Sequence, residues 1–225
     1  MSGVRTSTLR DGGQADVLLA AVLSDDGTLA FVGSSHGTLT IWKRTDARAP
    51  KGARWTLRTA IAIPYDDEIN SVALSDDGRV VATATEGGRL WLWAVPNGAP
   101  RGEIANAGLG ALTSVQFDPR DPTRMVASGD SGCARLLSAV TFGPVGRSMC
   151  DGSSGMGAAT FSPSGQQIVT GSDNGAQVWN ARTQKRTGKP FDNYTGDMIE
   201  SIAFNRDGSR LALAYGSTVY VYKAN

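Results

Sequence analysis

This sequence is poor in the residues on which metal sites and many enzymes depend. It contains a single histidine, His36, and two cysteines, Cys133 and Cys150. One histidine cannot assemble a histidine-based metal site, and one cysteine pair is not a disulfide framework. We expect two free structural thiols, as in a reduced cytoplasmic protein, with a single bridge between them as the alternative. No cofactor and no metal are expected.

Long apolar runs and a strong charge bias are also absent. Hydrophobic residues make up 40% of the chain, but no run approaches the roughly 20 residues needed to cross a bilayer. The first residues, MSGVRTSTLRDGGQAD, place no apolar segment after a basic head, so no secretory signal is expected. The formal net charge of +1 gives no general attraction to nucleic acid. These absences predict a cytoplasmic protein that binds neither membranes nor nucleic acids.

What the sequence does contain is an internal repeat. Each copy contains three short segments joined by tight turns. The first and third segments alternate apolar and polar residues, the second is mostly apolar, and the third usually ends in an aromatic residue. A period of two predicts β-strands rather than helices. Asp25-Asp26 and Asp76-Asp77 recur at the same turn beside a glycine, which indicates turn chemistry rather than acid–base catalysis. The five copies are residues 18–42, 69–93, 112–137, 156–179 and 199–222.

A weaker fourth strand is predicted between successive copies. These segments contain fewer apolar residues than the repeat itself, as expected for the outer edge of a sheet. They are residues 54–63, 102–106, 145–149 and 187–191.

The repeat resembles the WD40 repeat in FSPSG (161–165), NRDG (205–208) and GSDNGAQVWN (171–180). The resemblance covers nearly the whole chain and implies an all-β fold, a five-bladed β-propeller of four-stranded antiparallel blades. It also implies one domain over residues 1–225, with the ring closed by residues 4–9 pairing in the last blade. The alternative is a fragment of, or an oligomerising unit for, a larger propeller.

The chain departs from that family in its polar residues. WD40 repeats usually carry a histidine before the first strand and an aspartate between the second and third strands. No histidine precedes a first strand here, so the usual hydrogen-bond network is not expected, and stability should come from apolar strands and tight turns. The aspartate position holds His36, Gly87, Ser131, Asn174 and Gly216.

The resemblance also divides the loops between two ends of the propeller. Bases outnumber acids in the predicted bottom loops, whereas no base except Arg10 at the margin is expected on top. Acids gathered around a mouth would attract a cationic partner, although charged loops also serve solubility alone. The predicted top loops contain Asp11, Asp16, Asp66, Asp67, Glu68, Glu86, Asp130, Asp151, Asp173, Asp192 and Asp197.

These features predict a non-enzymatic scaffold or sensor module that binds another protein or peptide, in particular a basic one, on its top face. A monomer is favoured, with a homo-oligomer as the alternative. Trp55, outside the aromatic register of the repeat, is expected to be exposed. The expected contact residues are Ser35, Glu86, Asp130, Asp173 and Tyr215 in the inner turns, and Asn70, Thr113 and Glu200 at the starts of first strands.

Two other functions known for propellers fit this sequence less well. A lectin-like propeller would repeat aromatic and amide residues between blades, and the top loops show no such set. A glycoside hydrolase needs paired carboxylates on inner strands, where Glu200 is the only acid predicted. GDSG at 129–132 resembles the surroundings of a serine nucleophile, but it falls in a repeat turn, far in sequence from His36.

Overall fold

The computed structural model describes residues 17–45, 54–105, 107–191 and 196–224. Within these ranges the chain forms strands and turns, with one short 3-10 turn at Pro64–Asp66. The strands form five separate antiparallel sheets, each a meander of consecutive strands. The all-β prediction is therefore confirmed.

The sheets follow the five sequence repeats in order. The first contains β1 (Leu18–Leu23), β2 (Leu29–Ser34), β3 (Thr38–Thr45) and β4 (Arg54–Ala62). The second contains β5 (Ile69–Leu74), β6 (Val80–Thr85), β7 (Leu90–Ala94) and β8 (Pro100–Ile104). The third contains β9 (Leu112–Asp118), β10 (Asp121–Gly129), β11 (Cys133–Ser138) and β12 (Gly143–Cys150). The fourth contains β13 (Met156–Phe161), β14 (Gln167–Ser172), β15 (Gly175–Asn180) and β16 (Arg186–Phe191), and the fifth β17 (Ile199–Phe204), β18 (Arg210–Tyr215) and β19 (Thr218–Lys223).

The predicted outer strand is present in the first four sheets, whereas the fifth sheet has three strands. Neighbouring sheets pack through their first strands, β1 on β5, β5 on β9, β9 on β13 and β13 on β17. Within the described ranges no comparable packing joins β17 to β1. Residues 4–9, expected to complete the fifth sheet, lie outside the described residues, so the closed ring stays a prediction.

Glycines allow adjacent sheets to approach closely. A Cβ atom at Gly33 would collide with the Ile69 side chain of the next sheet, and one at Gly171 would collide with Ile199. Both glycines lie on second strands, opposite the first residue of the following sheet. The small residues of the second strand therefore fix the spacing between neighbouring sheets.

Aspartates hold the turns between first and second strands. The Asp26 carboxylate accepts hydrogen bonds from the Ser24 hydroxyl (2.6 Å) and the Thr28 amide (2.9 Å), and Asp77 accepts one from the Ser75 hydroxyl (2.6 Å). The hydroxyl bond from Ser24 and the other bonds lower the pKa of Asp26 below its ordinary value, and the Ser75 bond lowers that of Asp77. The predicted role of these acids in turns is confirmed.

The recurring tryptophans are packing residues, as predicted. The buried Trp93 indole donates to the Thr83 hydroxyl (3.1 Å), and Trp179 donates to Thr170 (2.9 Å). Part of a polar network therefore survives inside the sheets. The expectation for Trp55 was wrong, because its ring is half-buried against Trp42 and its neighbours.

The prediction of two free thiols was also wrong. Cys133 on β11 and Cys150 on β12 are directly opposite in the register and form a disulfide. The bond ties the outer edge strand of the third sheet to its neighbour. Sequence could not show this pairing, since it depends on the register of two adjacent strands.

We expect Thr170→Val to lower the free energy of unfolding by about 1–3 kcal/mol, because the buried Trp179 indole N–H would lose its acceptor. Thr187→Val is the matched control, because the Thr187 hydroxyl has no hydrogen-bond partner in the described part of the chain. Urea unfolding followed by tryptophan fluorescence measures both variants. Equal losses in the two variants would contradict the assigned role of the indole bond.

Replacing Cys133 and Cys150 by alanine should lower the free energy of unfolding by about 3 kcal/mol, since the bond closes a loop across a sequence separation of 17. Urea unfolding with and without reductant measures the change. The wild-type protein should lose the same stability on reduction, and the double variant should not respond. A wild-type midpoint that ignores reductant would contradict this account.

Candidate functional site

One end of the sheets, here called the top face, collects the loops of the predicted contact site. Leu18 pairs with Ser34 and Thr38 pairs with Ala62, so the start of the first strand, the β2–β3 turn and the end of the fourth strand share one end. The same pairing recurs in the later sheets, as Ile69 with Thr85 shows. The top face therefore comprises the turns between second and third strands and the connections that enter each first strand.

Carboxylates are frequent in these loops. Arg89 directly precedes β7, so these loops also contain a base, although none except Arg10 was expected on top. Its guanidinium pairs with Glu103 (3.3 Å) and lies 4.4 Å from the ring centre of the exposed Tyr65. Asp11, Asp16 and Asp192 lie outside the described residues. The described acids are Asp66, Asp67, Glu68, Glu86, Asp130, Asp151, Asp173 and Asp197.

Some of these acids fasten the turns of their own sheet. Asp67 accepts hydrogen bonds from the Thr85 hydroxyl (2.5 Å) and the Gly87 amide (2.7 Å). Asp151 accepts one from the Ser172 hydroxyl (2.6 Å). An aspartate from the loop that enters the sheet thus bonds the end of the second strand, whereas WD40 repeats usually carry a histidine before the first strand. Sequence reasoning missed this role and counted both acids only as surface charge.

Three predicted contact residues occupy equivalent positions in successive sheets. Glu86, Asp130 and Asp173 each follow the last residue of a second strand directly. Asp130 is exposed, the Glu86 carboxylate accepts a bond from the Asn70 amide (2.8 Å), and Asp173 accepts one from the Ser154 hydroxyl (2.6 Å). The arrangement is a row of carboxylates along three neighbouring turns.

Ser35 occupies the corresponding position in the first sheet. Its hydroxyl accepts a hydrogen bond from the Val17 amide (3.3 Å) and lies 3.3 Å from Nδ1 of His36. His36 is exposed in the same turn. The single histidine is therefore a turn residue, and the described residues contain no group of three or more potential metal ligands.

Asn70 and Thr113 connect neighbouring sheets. The Asn70 amide donates to the Leu112 carbonyl (3.1 Å) of the next first strand, and the Thr113 hydroxyl donates to the Met156 carbonyl (2.5 Å). Both residues are partly buried. Their polar groups hold the first strands together in register.

Tyr215 and Glu200 have opposite surroundings. Tyr215 ends β18 rather than lying in the turn, and its buried ring stacks on Tyr220 at 4.7 Å between ring centres. Burial raises the pKa of Tyr215 to about 12. Glu200 is exposed on β17. The structure therefore places Glu200 at the surface and Tyr215 in the packing of the fifth sheet.

The bottom end contains a cavity of about 350 Å³ between the third, fourth and fifth sheets. Gln116 lines it, but its side-chain oxygen accepts hydrogen bonds from the Thr160 hydroxyl and the Phe161 amide, both at 2.7 Å. Asp118 is the last residue of β9, so the first strands contain a second acid besides Glu200. Its carboxylate pairs with Arg124 at 3.5 Å. The polar groups named here are thus engaged in structural bonds.

Two stretches of the chain match the family model described as WD domain, G-beta repeat, at residues 60–94 and 141–180. The first runs from β4 through β7 and the second reaches the end of β15, so each combines an outer strand with the following three strands. Residues in this chain are also similar to Protein transport protein SEC31 of Yarrowia lipolytica (strain CLIB 122 / E 150), at 30% identity over 112 residues. That alignment covers 47% of this chain and spans only 9% of the relative.

The resemblance to WD40 repeats drawn from sequence motifs is therefore confirmed. The structure adds that both matched stretches fold as antiparallel strands. No helix among the described residues has the length and apolar character required to traverse a membrane.

A double-mutant cycle should show a coupling of about 1–3 kcal/mol between Asp151 and Ser172, because the bond joins a carboxylate to a buried hydroxyl. The cycle comprises Asp151→Ala, Ser172→Ala and the double variant, each unfolded in urea. Strictly additive losses would show that the aspartate does not fasten this turn.

Proposed function

We propose that this WD40-repeat chain is a non-enzymatic scaffold that binds a basic segment of a partner protein or peptide on its top face. The observation that carries the proposal is the row formed by Glu86, Asp130 and Asp173. These acids follow the second strand of three successive sheets, so the repeat itself presents one carboxylate per turn. Carboxylates spaced along a rigid surface reinforce one another's field and favour a cationic ligand.

The family supports a binding role, since WD40 repeats generally mediate protein–protein interactions. Stacked sheets also provide a rigid base, which keeps the loss of conformational freedom on binding small. Hydrogen bonds fix the Glu86 and Asp173 side chains in advance through Asn70 and Ser154. The row is therefore largely preorganised for a ligand.

The proposed contact set is smaller than the one drawn from the sequence. Ser35 adds a neutral hydroxyl at the equivalent position of the first sheet, and Glu200 adds a carboxylate near the start of β17. Asn70 and Thr113 support these contacts by holding the first strands together. Tyr215 is left out because its ring is buried.

The proposed cytoplasmic location has one observation against it. A reducing compartment disfavours disulfides, and Cys133 and Cys150 are joined in this structure. The test is to alkylate the protein as the cells are lysed, without reductant, and to measure its intact mass. The mass distinguishes a bridged pair from two alkylated thiols. A bridged protein would argue for an oxidising location.

We expect the variant Glu86→Gln/Asp130→Asn/Asp173→Asn to bind basic peptides roughly tenfold more weakly than the wild type, since each exposed charge pair contributes up to about 1 kcal/mol. A defined panel of lysine- and arginine-rich, neutral and acidic peptides, measured by fluorescence anisotropy at two salt concentrations, tests this. Higher salt should weaken wild-type binding.

The control is Asp25→Asn/Asp76→Asn, which removes exposed carboxylates from turns at the opposite end of the sheets. This control should bind basic peptides like the wild type. Equally weakened peptide binding in both variants would show that the net charge of the protein, and not the row of acids, attracts the basic peptides. No preference for basic peptides in the wild type would end the proposal.

A further inference from the structure

One aromatic side chain of the top face is open to solvent. Tyr65 is 75% exposed, whereas the three recurring tryptophans inside the sheets are at most 6% exposed. Tyrosine is one of the residue types that most often dominate the binding energy of protein interfaces. The ring is therefore a candidate contact that the sequence did not single out.

The backbone at this residue has an unfavourable conformation. Tyr65 has a φ of 75° and Asp66 a φ of 48°, so two consecutive residues with side chains occupy the left-handed region. The Cβ atom disfavours this region sterically for residues other than glycine, and a bulky side chain is rare there. Such conformations persist where surrounding contacts enforce them, and they are frequent at binding sites. The direction of the ring is therefore set by the structure around the loop.

The contacts that enforce this conformation join the loop to the turns of two sheets. The Ile63 amide donates a hydrogen bond to the Gly37 carbonyl (2.8 Å) of the first sheet. The Asp67 carboxylate accepts one from the Gly87 amide (2.7 Å) of the second sheet. Gly87 directly follows Glu86, so the loop is fastened to the turn that carries the first carboxylate of the acidic row. The exposed ring and the acidic row thus belong to one rigid surface.

One face of the ring is covered by a guanidinium group of this chain. The Cζ atom of Arg89 lies 4.4 Å from the ring centre, and its Nε atom lies 3.3 Å from the Glu103 carboxylate. Glu103 balances the charge of Arg89 and helps to keep the guanidinium in place. Because Tyr65 is 75% exposed even with this contact, the opposite face of its ring is open.

We propose that the open face of Tyr65 stacks on an arginine side chain of the partner, so that the top face prefers arginine to lysine. This preference depends on the binding of a basic segment proposed above, and it specifies a residue type that the segment contains. The face of an aromatic ring carries partial negative charge and attracts a cation. A planar guanidinium can lie flat on the ring, whereas the lysine ammonium group is compact and more strongly hydrated.

Carboxylates around the ring offset the repulsion between two guanidinium groups on its opposite faces. Glu103 pairs with Arg89, and the exposed Asp66 is the neighbour of Tyr65 in the chain. Glu86 belongs to the same β6–β7 connection as Arg89. A second guanidinium therefore enters a site where these three acids outnumber the base.

Two labelled peptides of equal length and charge, with arginine or lysine at every basic position, test this preference by fluorescence anisotropy. The wild type should bind the arginine peptide about fivefold more tightly than the lysine peptide. Tyr65→Ala should bind the two peptides with nearly equal affinity, because the ring is removed. Tyr65→Phe should keep the preference, since phenylalanine retains the ring face.

The variant Arg89→Ala separates direct stacking on the partner from a purely structural role of the ring. If Tyr65 only held Arg89 in place, removing Arg89 would abolish the preference as Tyr65→Ala does. If the ring binds the partner's arginine directly, Arg89→Ala should keep or increase the preference, because the second face of the ring opens as well.

Phe142→Ala is the matched control. Phe142 is also an exposed aromatic residue with a positive φ, of 53°, but it lies in the β11–β12 connection at the opposite end of the sheets. This control should prefer the arginine peptide like the wild type. Far-ultraviolet circular dichroism of each variant checks that the β-structure is retained.

Equal affinity of the wild type for the two peptides would overturn the arginine preference without recourse to any variant. If both peptides then still bind more tightly than a neutral one, the proposed function stands. A preference that survives Tyr65→Ala, or that is lost in Tyr65→Phe or Arg89→Ala, would overturn the stacking contact as well.

The acidic-row variant distinguishes failure of the row from failure of the ring. If the preference depends on Tyr65 while Glu86→Gln/Asp130→Asn/Asp173→Asn binds both peptides like the wild type, the stacking contact is supported and the row is contradicted. A wild type that binds neither basic peptide would overturn both.

Discussion

The structure depends on one recurring contact, in which one face of each of the first four sheets is buried by the first strand of the following sheet. Leu39 and Ile41 of the first sheet pack with Ile69 of the second, and a Cβ atom at Gly33 would close the space that Ile69 fills. An isolated four-stranded sheet has two faces and can bury neither alone, so its stability comes from its neighbours. Side-chain size at the second strand therefore sets the spacing of the whole stack.

Apolar packing holds the sheets together, and the hydrogen bonds between side chains mainly satisfy polar groups that this packing has buried. The tryptophan–threonine bond, as between Trp179 and Thr170, satisfies an indole that apolar packing has already buried. Asp67 and Asp151 act at the top face, where they join the loop entering a sheet to a turn of that sheet. The same turns present the acidic row, so structural and surface acids are neighbours. Part of the acidity counted from the sequence is explained by folding rather than by binding.

The fold could be predicted from the sequence because its signals are local. Period-two alternation and an aspartate-glycine turn, such as Asp77-Gly78, specify strands and hairpins within a few residues. The remaining features depend on contacts between strands. The bond between Cys133 and Cys150 needs the register of β11 and β12, and Tyr215 is buried because its ring packs in a cluster formed by the fourth and fifth sheets.

The repeat determines how one sheet packs against the next. The contacts between neighbouring sheets are equivalent along the chain, so each sheet depends on its neighbours for the burial of its apolar residues. The first sheet shows one alteration, since Trp55 of its outer strand packs beside the buried Trp42. The fifth sheet shows none at β19, where Val219 and Val221 keep the apolar character of the interior positions. The equivalent residues of the earlier sheets are buried by the following sheet, so the exposure of these two valines reflects the lack of such a neighbour among the described residues.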